Sequence, residues 1–127
     1  MAEDPTDLIA AARETQQHAY APYSGYAVGA AIRTGDGRVF TGANVENSTY
    51  GATICAERSA AVAAVSAGAR EFVAIAIVTE NAAPPCGICR QFLSEFGDPL
   101  VLLATPEHDA PVTRFNLSEL LPHGFRL

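Results

Sequence analysis

The chain has no lysine and no tryptophan, and all eight of its cationic side chains are arginines. Without a lysine amine it has neither a Schiff-base nucleophile nor the lysine of a phosphate-binding P-loop. No apolar run approaches the roughly 20 residues that cross a bilayer, and the start MAEDPTD lacks the basic region of a secretory signal. We therefore expect a cytoplasmic protein with no membrane partner.

Positive charge is scarce overall. Eight Lys and Arg residues stand against 14 Asp and Glu, which gives a net charge of −6. Binding to a phosphate backbone depends on clustered cations, so no nucleic acid partner is expected. A length of 127 residues with 49% hydrophobic and 17% charged residues is typical of one globular domain, and residues 1–127 are predicted to form a single domain.

Cysteine is also rare, because the chain has only three. Cys55 lies in the stretch CAERSA, and Cys86 and Cys89 lie in PCGICRQ. Three cysteines cannot all pair within one chain, and thiols stay reduced in the cytosol. Metal binding or catalysis is therefore favoured over disulfide formation.

The hydrophobic pattern predicts an α/β fold in three layers, α/β/α, around a five-stranded mixed sheet. Strand, helix and strand signals alternate in the second half, which favours parallel strand pairs joined by crossover helices. The expected elements are a helix that starts at Asp4-Pro5-Thr6-Asp7 and runs to about Ala19, strands at 26–33 and 38–43 around the turn TGDG, a helix at 55–67 closed by Gly68, a strand at 72–79, a helix from Pro84-Pro85 to Gly97, strands at 100–105 and 112–115, and a short helix in NLSELL.

The three cysteines lie at the starts of two predicted helices. A spacing of three residues places Cys86 and Cys89 on one helix face, and Cys55 opens the other helix. If the two helix N-termini converge, three sulfurs meet at one point. Zinc with three protein ligands keeps its fourth position open for catalysis, whereas a structural site fills that position.

Glu57 follows Cys55 by two residues and is the candidate general acid and base. A metal that acidifies water still needs a group that moves the protons. Three alternatives stay open at this point: a purely structural zinc module, a redox pair formed by Cys86 and Cys89, and an ordinary solvated glutamate at Glu57. His18, His108 and His123 lie in unrelated segments without metal-ligand spacing and are expected on surfaces or loops.

The stretch CAE followed by PCxxC resembles the three-cysteine form of the zinc deaminase motif. The wider resemblance is to the small homotetrameric cytidine deaminases, in the cytidine and deoxycytidylate deaminase superfamily. It is carried by APYSGYAVGAA at 21–31, TGANVENSTYGATICAERSA at 41–60, PPCGICRQFLSEF at 84–96 and SELLPHGF at 118–125. These stretches cover most of the chain in the order of that family.

The resemblance implies a zinc-dependent hydrolase that converts cytidine and 2′-deoxycytidine into uridine and 2′-deoxyuridine, with release of ammonia, in pyrimidine salvage. It implies one Zn²⁺ per subunit on Cys55, Cys86 and Cys89, hydroxide attack at C4 of the base, and Glu57 as the proton shuttle. Three thiolates leave the site with a net charge of −1, which Arg58 and the two helix N-termini are expected to offset. The simpler interpretation of Arg58 is a surface arginine.

Asn44 and Glu46 lie two residues apart in an extended stretch, so both side chains are expected on one face, with Val45 turned inward. In the family the matching pair binds the ribose 3′-hydroxyl, which implies a nucleoside substrate. Two polar residues at a strand end are the alternative interpretation.

Three further substrate-binding positions follow from the resemblance. Tyr26 matches a position usually held by phenylalanine that packs against the base, and Ala56 belongs to the CAE motif. Phe125 matches an aromatic residue that reaches the pyrimidine of a neighbouring subunit; the alternative interpretation is an aromatic residue that only anchors the C-terminus. Among deaminases, an enzyme of the blasticidin S type is the alternative, since it shares CAE and PCGxCRQ but not the full NVEN and APYSG pattern.

Overall fold

The structure is a computed structural model that describes residues 5–127. It contains five strands, four α-helices and one short 3₁₀ helix, Tyr50–Ala52, within those residues. The strands are β1 (Gly29–Thr34), β2 (Val39–Ala43), β3 (Phe72–Val78), β4 (Leu100–Ala104) and β5 (Thr113–Asn116), and the helices are α1 (Asp7–Gln16), α2 (Ala56–Ser66), α3 (Gly87–Ser94) and α4 (Leu117–Leu120).

The five strands form one mixed sheet in the order β2-β1-β3-β4-β5. Strands β3 and β4 are parallel and are joined through α3, while the other neighbouring strands are antiparallel. The prediction of a five-stranded mixed sheet is confirmed. Within the described residues the expectation of parallel pairs holds for β3 and β4 only, because β1 lies between β2 and β3 and pairs antiparallel with both.

Helices cover both faces of the sheet, as the three-layer prediction required. Leu8, Ile9 and Ala12 of α1 pack on one face, against alternate residues of the central strands. Helices α2, α3 and α4 pack on the opposite face around a core that includes Phe72 and Leu93. Both faces of β3 are buried apart from Val73, as its β-branched run predicted.

Most element boundaries differ from the prediction by a few residues. Helix α1 ends at Gln16 rather than near Ala19, and β1 begins at Gly29 rather than Tyr26. The expected start of α1 at Asp4 lies outside the described residues. Gly68 follows α2 with a φ of 98°, the left-handed conformation that glycine adopts after a helix C-terminus.

Within residues 5–127 no helix combines the length and apolar character that a membrane span requires.

Candidate metal centre and active site

Two helices begin at cysteines, and this places the three sulfurs together. Cys55 is the N-cap of α2, Cys86 is the N-cap of α3, and Cys89 lies one turn further along α3. All three Sγ atoms lie within 4.8 Å of one another. The convergence of helix N-termini that the motif spacing required is therefore present in the fold.

The cluster fits a zinc ion by its donor chemistry and spacing. The cysteines are free thiols, and sulfurs that share one zinc ion at Zn–S distances of about 2.3 Å are roughly 4 Å apart. Among residues 5–127 the metal-ligating cluster contains no histidine or carboxylate. Such a donor set leaves the fourth tetrahedral position without a protein ligand, as in catalytic sites.

Arg58 lies beside the sulfur cluster. Its Nη2 donates to Cys55 Sγ at 3.5 Å. The hydrogen bond from Cys89, and then the guanidinium of Arg58, lower the pKa of Cys55 to about 5. Cys89 is the donor of that pair, so its own pKa is raised. Cys55 is thus poised as a thiolate, which is the form that binds metal.

Glu57 is buried in the first turn of α2, with 6% of its surface exposed. Burial is the main cause that raises the pKa of Glu57 to about 7, and the nearby Cys55 thiolate raises it further. A carboxyl group with this pKa can accept and return a proton at neutral pH.

A cavity of about 220 Å³ opens beside the cysteines and Glu57. The predicted residues Tyr26, Asn44 and Ala56 line it together with Cys55, Glu57 and Cys86. Its other lining residues were not predicted from the sequence: Val28, Thr53, Thr79, Ala83 and Pro84. The last three belong to the stretch TENAAPP, whose position directly before PCGIC was the available signal.

Asn44 is buried at the end of β2, where its amide holds the chain that leads into β1. Its Oδ1 accepts from the backbone N–H of Val28 at 2.9 Å, and its Nδ2 donates to the carbonyl of Tyr26 at 2.8 Å. One further lone pair and one further N–H of the amide stay available for a ligand. Asn44 therefore shapes the cavity wall as well as lining it.

Glu46 does not line the cavity with the cysteines. It lines a neighbouring pocket with Tyr23, Ser24 and Tyr50, and Thr53 borders both. Its carboxylate accepts from the backbone N–H groups of Tyr23 and Ser24 at 2.9 and 3.1 Å and from the Ser24 hydroxyl. The expectation that Val45 turns inward was wrong: 48% of it is exposed, because regular strand geometry ends at Ala43.

The comparisons with known proteins decide the family. The family model for the cytidine and deoxycytidylate deaminase zinc-binding region matches residues 2–105. The chain belongs to this family. The model's span includes all three cysteines and Glu57.

Curated relatives and solved structures named cytidine deaminase match nearly the whole chain. The cytidine deaminase of Halalkalibacterium halodurans is 46% identical over 93% of this chain and 91% of its own length. The cytidine deaminase of Sporosarcina psychrophila is 43% identical over 96% of this chain and 91% of its own length. The crystal structure of cytidine deaminase from Burkholderia pseudomallei superposes with a TM-score of 0.90 at 43% identity, and the match covers 97% of this chain and all of that one. The deaminase family thus accounts for the fold of the described chain.

Phe125 lies in the C-terminal segment of this deaminase-family chain and does not line the cavity. Its side chain is 68% exposed, while its backbone pairs with both polar atoms of Gln91: Gln91 Nε2 donates to its carbonyl at 2.8 Å and its N–H donates to Gln91 Oε1 at 3.0 Å. The backbone is anchored, and the ring is left free to contact another molecule.

Proposed function

We propose that this deaminase-family chain catalyses the hydrolytic deamination of cytidine and 2′-deoxycytidine to uridine and 2′-deoxyuridine. The observation that carries the proposal is the buried Glu57 beside three converging sulfurs in one cavity. Names of relatives that match over more than 90% of the chain support the choice of cytidine.

Cys55, Cys86 and Cys89 would hold the zinc ion of this family. When bound, zinc supplies Lewis acidity that makes water a nucleophile at neutral pH. Arg58 offsets the excess negative charge of three thiolates from its place beside Cys55. The N-termini of α2 and α3 add their partial positive charges at the same point.

Glu57 moves the protons. Its carboxylate accepts a proton from the attacking water, whose oxygen bonds to C4 of the pyrimidine. That proton is returned to ring N3. Glu57 then takes the proton of the new C4 hydroxyl and delivers it to the amine, so that the C4–N bond breaks, ammonia leaves and C4 becomes the carbonyl of uridine. A pKa near 7 keeps both directions of transfer accessible.

Substrate contacts are proposed for the residues that surround this centre. Tyr26 and Ala56 would contact the base and Asn44 the ribose from within the cavity. Glu46 would reach the sugar through the adjoining pocket, which shares Thr53 with the cavity. Phe125 would contact the pyrimidine of a neighbouring subunit with its exposed ring.

We also propose a cytoplasmic homotetramer. The three free thiols favour a reducing compartment, where cysteines stay unpaired. Exposed apolar side chains on the segment that leads to Cys55, including Val45, Tyr50 and Ile54, favour burial against other subunits. Sedimentation at micromolar concentration would report the assembly, and a monomer that retains full activity would exclude the shared site.

The first experiment compares the zinc-loaded chain with Glu57→Gln. Glutamine has nearly the same shape as glutamate but lacks the carboxylate that accepts and returns a proton. Conversion of cytidine to uridine is followed by ultraviolet absorbance, with zinc content measured in both proteins. We expect a loss in kcat of roughly 10²–10⁴-fold at unchanged zinc content.

The matched control is Glu14→Gln on α1, across the sheet from the site, which should leave kcat unchanged. Zinc-loaded wild type that ignores both cytidine and deoxycytidine would reject the proposed substrate and favour an aminopyrimidine nucleoside of the blasticidin S type.

A further inference from the structure

The loop between β3 and α3 forms one wall of the cavity and ends at Cys86. Thr79 Oγ1 accepts from the backbone N–H of Ala83 at 3.0 Å and donates to Asn81 Oδ1 at 3.3 Å. Ala82 has a φ of 53°, a left-handed conformation that is unfavourable for a residue with a side chain. Side-chain contacts must therefore hold this loop in shape.

Tyr26 also lines the cavity, and its hydroxyl reaches the same loop. It donates to Asn81 Oδ1 at 2.6 Å, so this oxygen accepts from both Tyr26 and Thr79. A phenylalanine at position 26 would keep the ring but lose the hydrogen bond to Asn81 in the loop.

The backbone of Tyr26 is also fixed by hydrogen bonds. Its N–H donates to Ser24 Oγ at 3.0 Å, its carbonyl accepts from Asn44 Nδ2 at 2.8 Å, and its ring packs against the core under α2. The tyrosine is thus held at its backbone and at its hydroxyl, with its ring facing the cavity between them.

We propose that the Tyr26–Asn81 hydrogen bond is a latch that fixes the width of the cavity mouth and thereby sets which pyrimidine rings enter. Tyr26 and Asn81 act as positioning residues through the loop at 79–86. The role in substrate choice rests on the proposed deaminase function. The latch itself rests only on the contacts of the described residues.

The latch predicts a specific pattern in a double-mutant cycle of Tyr26→Phe, Asn81→Ala and the double variant. A single hydrogen bond contributes about fivefold in an equilibrium, so each single variant should raise KM for cytidine by about that factor, with kcat nearly unchanged. Asn81→Ala also removes the bond from Thr79, so the double variant should cost no more than Asn81→Ala alone, since that variant already lacks the Tyr26–Asn81 bond. All three variants should raise the rate on 5-methylcytidine relative to cytidine.

A second readout does not depend on turnover. The amide of Ala83, which is bonded to Thr79 Oγ1, should exchange with deuterium about fivefold faster in all three variants than in wild type. Tyr20→Phe, which removes a hydroxyl from a largely exposed tyrosine, is the matched control and should match wild type in both readouts.

Single-variant effects that multiply in the double variant, or an Ala83 exchange rate that no variant changes, would overturn the latch. An unchanged preference between cytidine and 5-methylcytidine would overturn its role in substrate choice. If wild type deaminates neither substrate, the proposed function fails while the exchange measurements still decide whether the latch exists.

Discussion

Arg58 is the charged residue whose position most directly affects the sulfur cluster. It lies in the first turn of α2, partly buried, and donates to Cys55. Interaction with the thiolates raises the pKa of Arg58 still further, so it keeps its charge at every working pH. A fixed positive charge at this distance compensates three thiolates that would otherwise weaken the acidity of a metal.

Replacement of Arg58 by glutamine is expected to preserve the fold and slow turnover. We expect kcat to fall by roughly tenfold, a barrier increase of about 1.4 kcal/mol. Steady-state kinetics with zinc content measured in parallel would check this. Arg114→Gln removes the same charge from exposed strand β5 and should have no effect. Equal kinetics of the two variants at full zinc content would contradict a role for Arg58.

The contact of the Glu46 carboxylate with the turn at Tyr23 and Ser24 should depend on pH. The hydrogen bond from the Ser24 hydroxyl, followed by those from the backbone N–H groups of Tyr23 and Ser24, lowers the pKa of Glu46 below its ordinary 4.5. A group whose pKa is lowered in the folded state stabilises that state above its ordinary pKa. Its contribution is lost as the pH falls through the lowered value.

We therefore expect the amides of Tyr23 and Ser24 to lose protection as the pH falls below 4.5. Hydrogen exchange, corrected for the intrinsic effect of pH, would measure it. Glu46→Gln removes the titrating group, so its corrected protection should not change over that range. A wild-type profile as flat as that of the variant would show that the carboxylate does not hold this turn.

The close packing of helix α2 on strand β2 positions the site. Gly42 lies in β2 directly under the helix, and a Cβ atom there would be 2.5 Å from Ala60 N and 2.8 Å from Ala56 O. Alanines on the facing side of α2 are fully buried, so the helix backbone lies close to the strand. Cys55, Glu57 and Arg58 take their positions from this contact.

Gly42→Ala is expected to displace α2 and destabilise the chain by about 1–3 kcal/mol, as overpacking does. Urea unfolding would measure the loss. Gly51→Ala is the matched control, because nothing among the described residues lies within 4 Å of its added methyl group. Equal unfolding midpoints for the two variants would show that β2 and α2 can separate without cost.

The sequence predicted element types better than strand order. The small, apolar stretch before Gly68 indicated a buried helix, and the β-branched run FVAIAIV indicated a strand buried on both faces, both of which the structure contains. Nothing in the sequence of β2 or β3 indicates which strand is its neighbour in the sheet, so the position of β1 between them was not predicted. The antiparallel pairing of β1 with β3 is set by the whole sheet and could not be read locally.

The same limit applies to the site. Motif spacing placed Cys86 and Cys89 on one face of a helix and Cys55 and Glu57 at the start of another, but the meeting of the two helix N-termini depends on the fold. The bonds from Tyr26 to Asn81 and from Glu46 to the turn at Tyr23 join residues that are 55 and 23 positions apart. No local pattern encodes such pairs, so they emerge only from the folded chain.

For the whole molecule, zinc would join two helices that otherwise meet in few contacts. The three sulfurs belong to α2 and α3, which are 31 residues apart in sequence at Cys55 and Cys86. Neither N-cap thiol forms a capping hydrogen bond to its own helix within residues 5–127. Binding energy of a metal held by both helices therefore adds to the free energy of folding.

We expect the free energy of unfolding to rise with free zinc, by about 4.1 kcal/mol at 1,000 times the dissociation constant. Thermal unfolding with and without a chelator would show the shift. Cys86→Ser, at an exposed position, should fold but lose most of the zinc response. Identical unfolding with and without zinc would mean that the cluster does not hold the metal in the folded chain.

The alanine face of α2 has a consequence for how this protein can change over generations. A larger residue at Ala56, Ala60 or Ala64 would push the helix away from the sheet and move Glu57 with it. Laboratory selection for altered substrate range should therefore recover changes in the cavity loops at 20–28 and 79–86, and leave that helix face almost untouched. The methyl groups of these three alanines would keep α2 at a constant distance from the sheet while the loops around the cavity change.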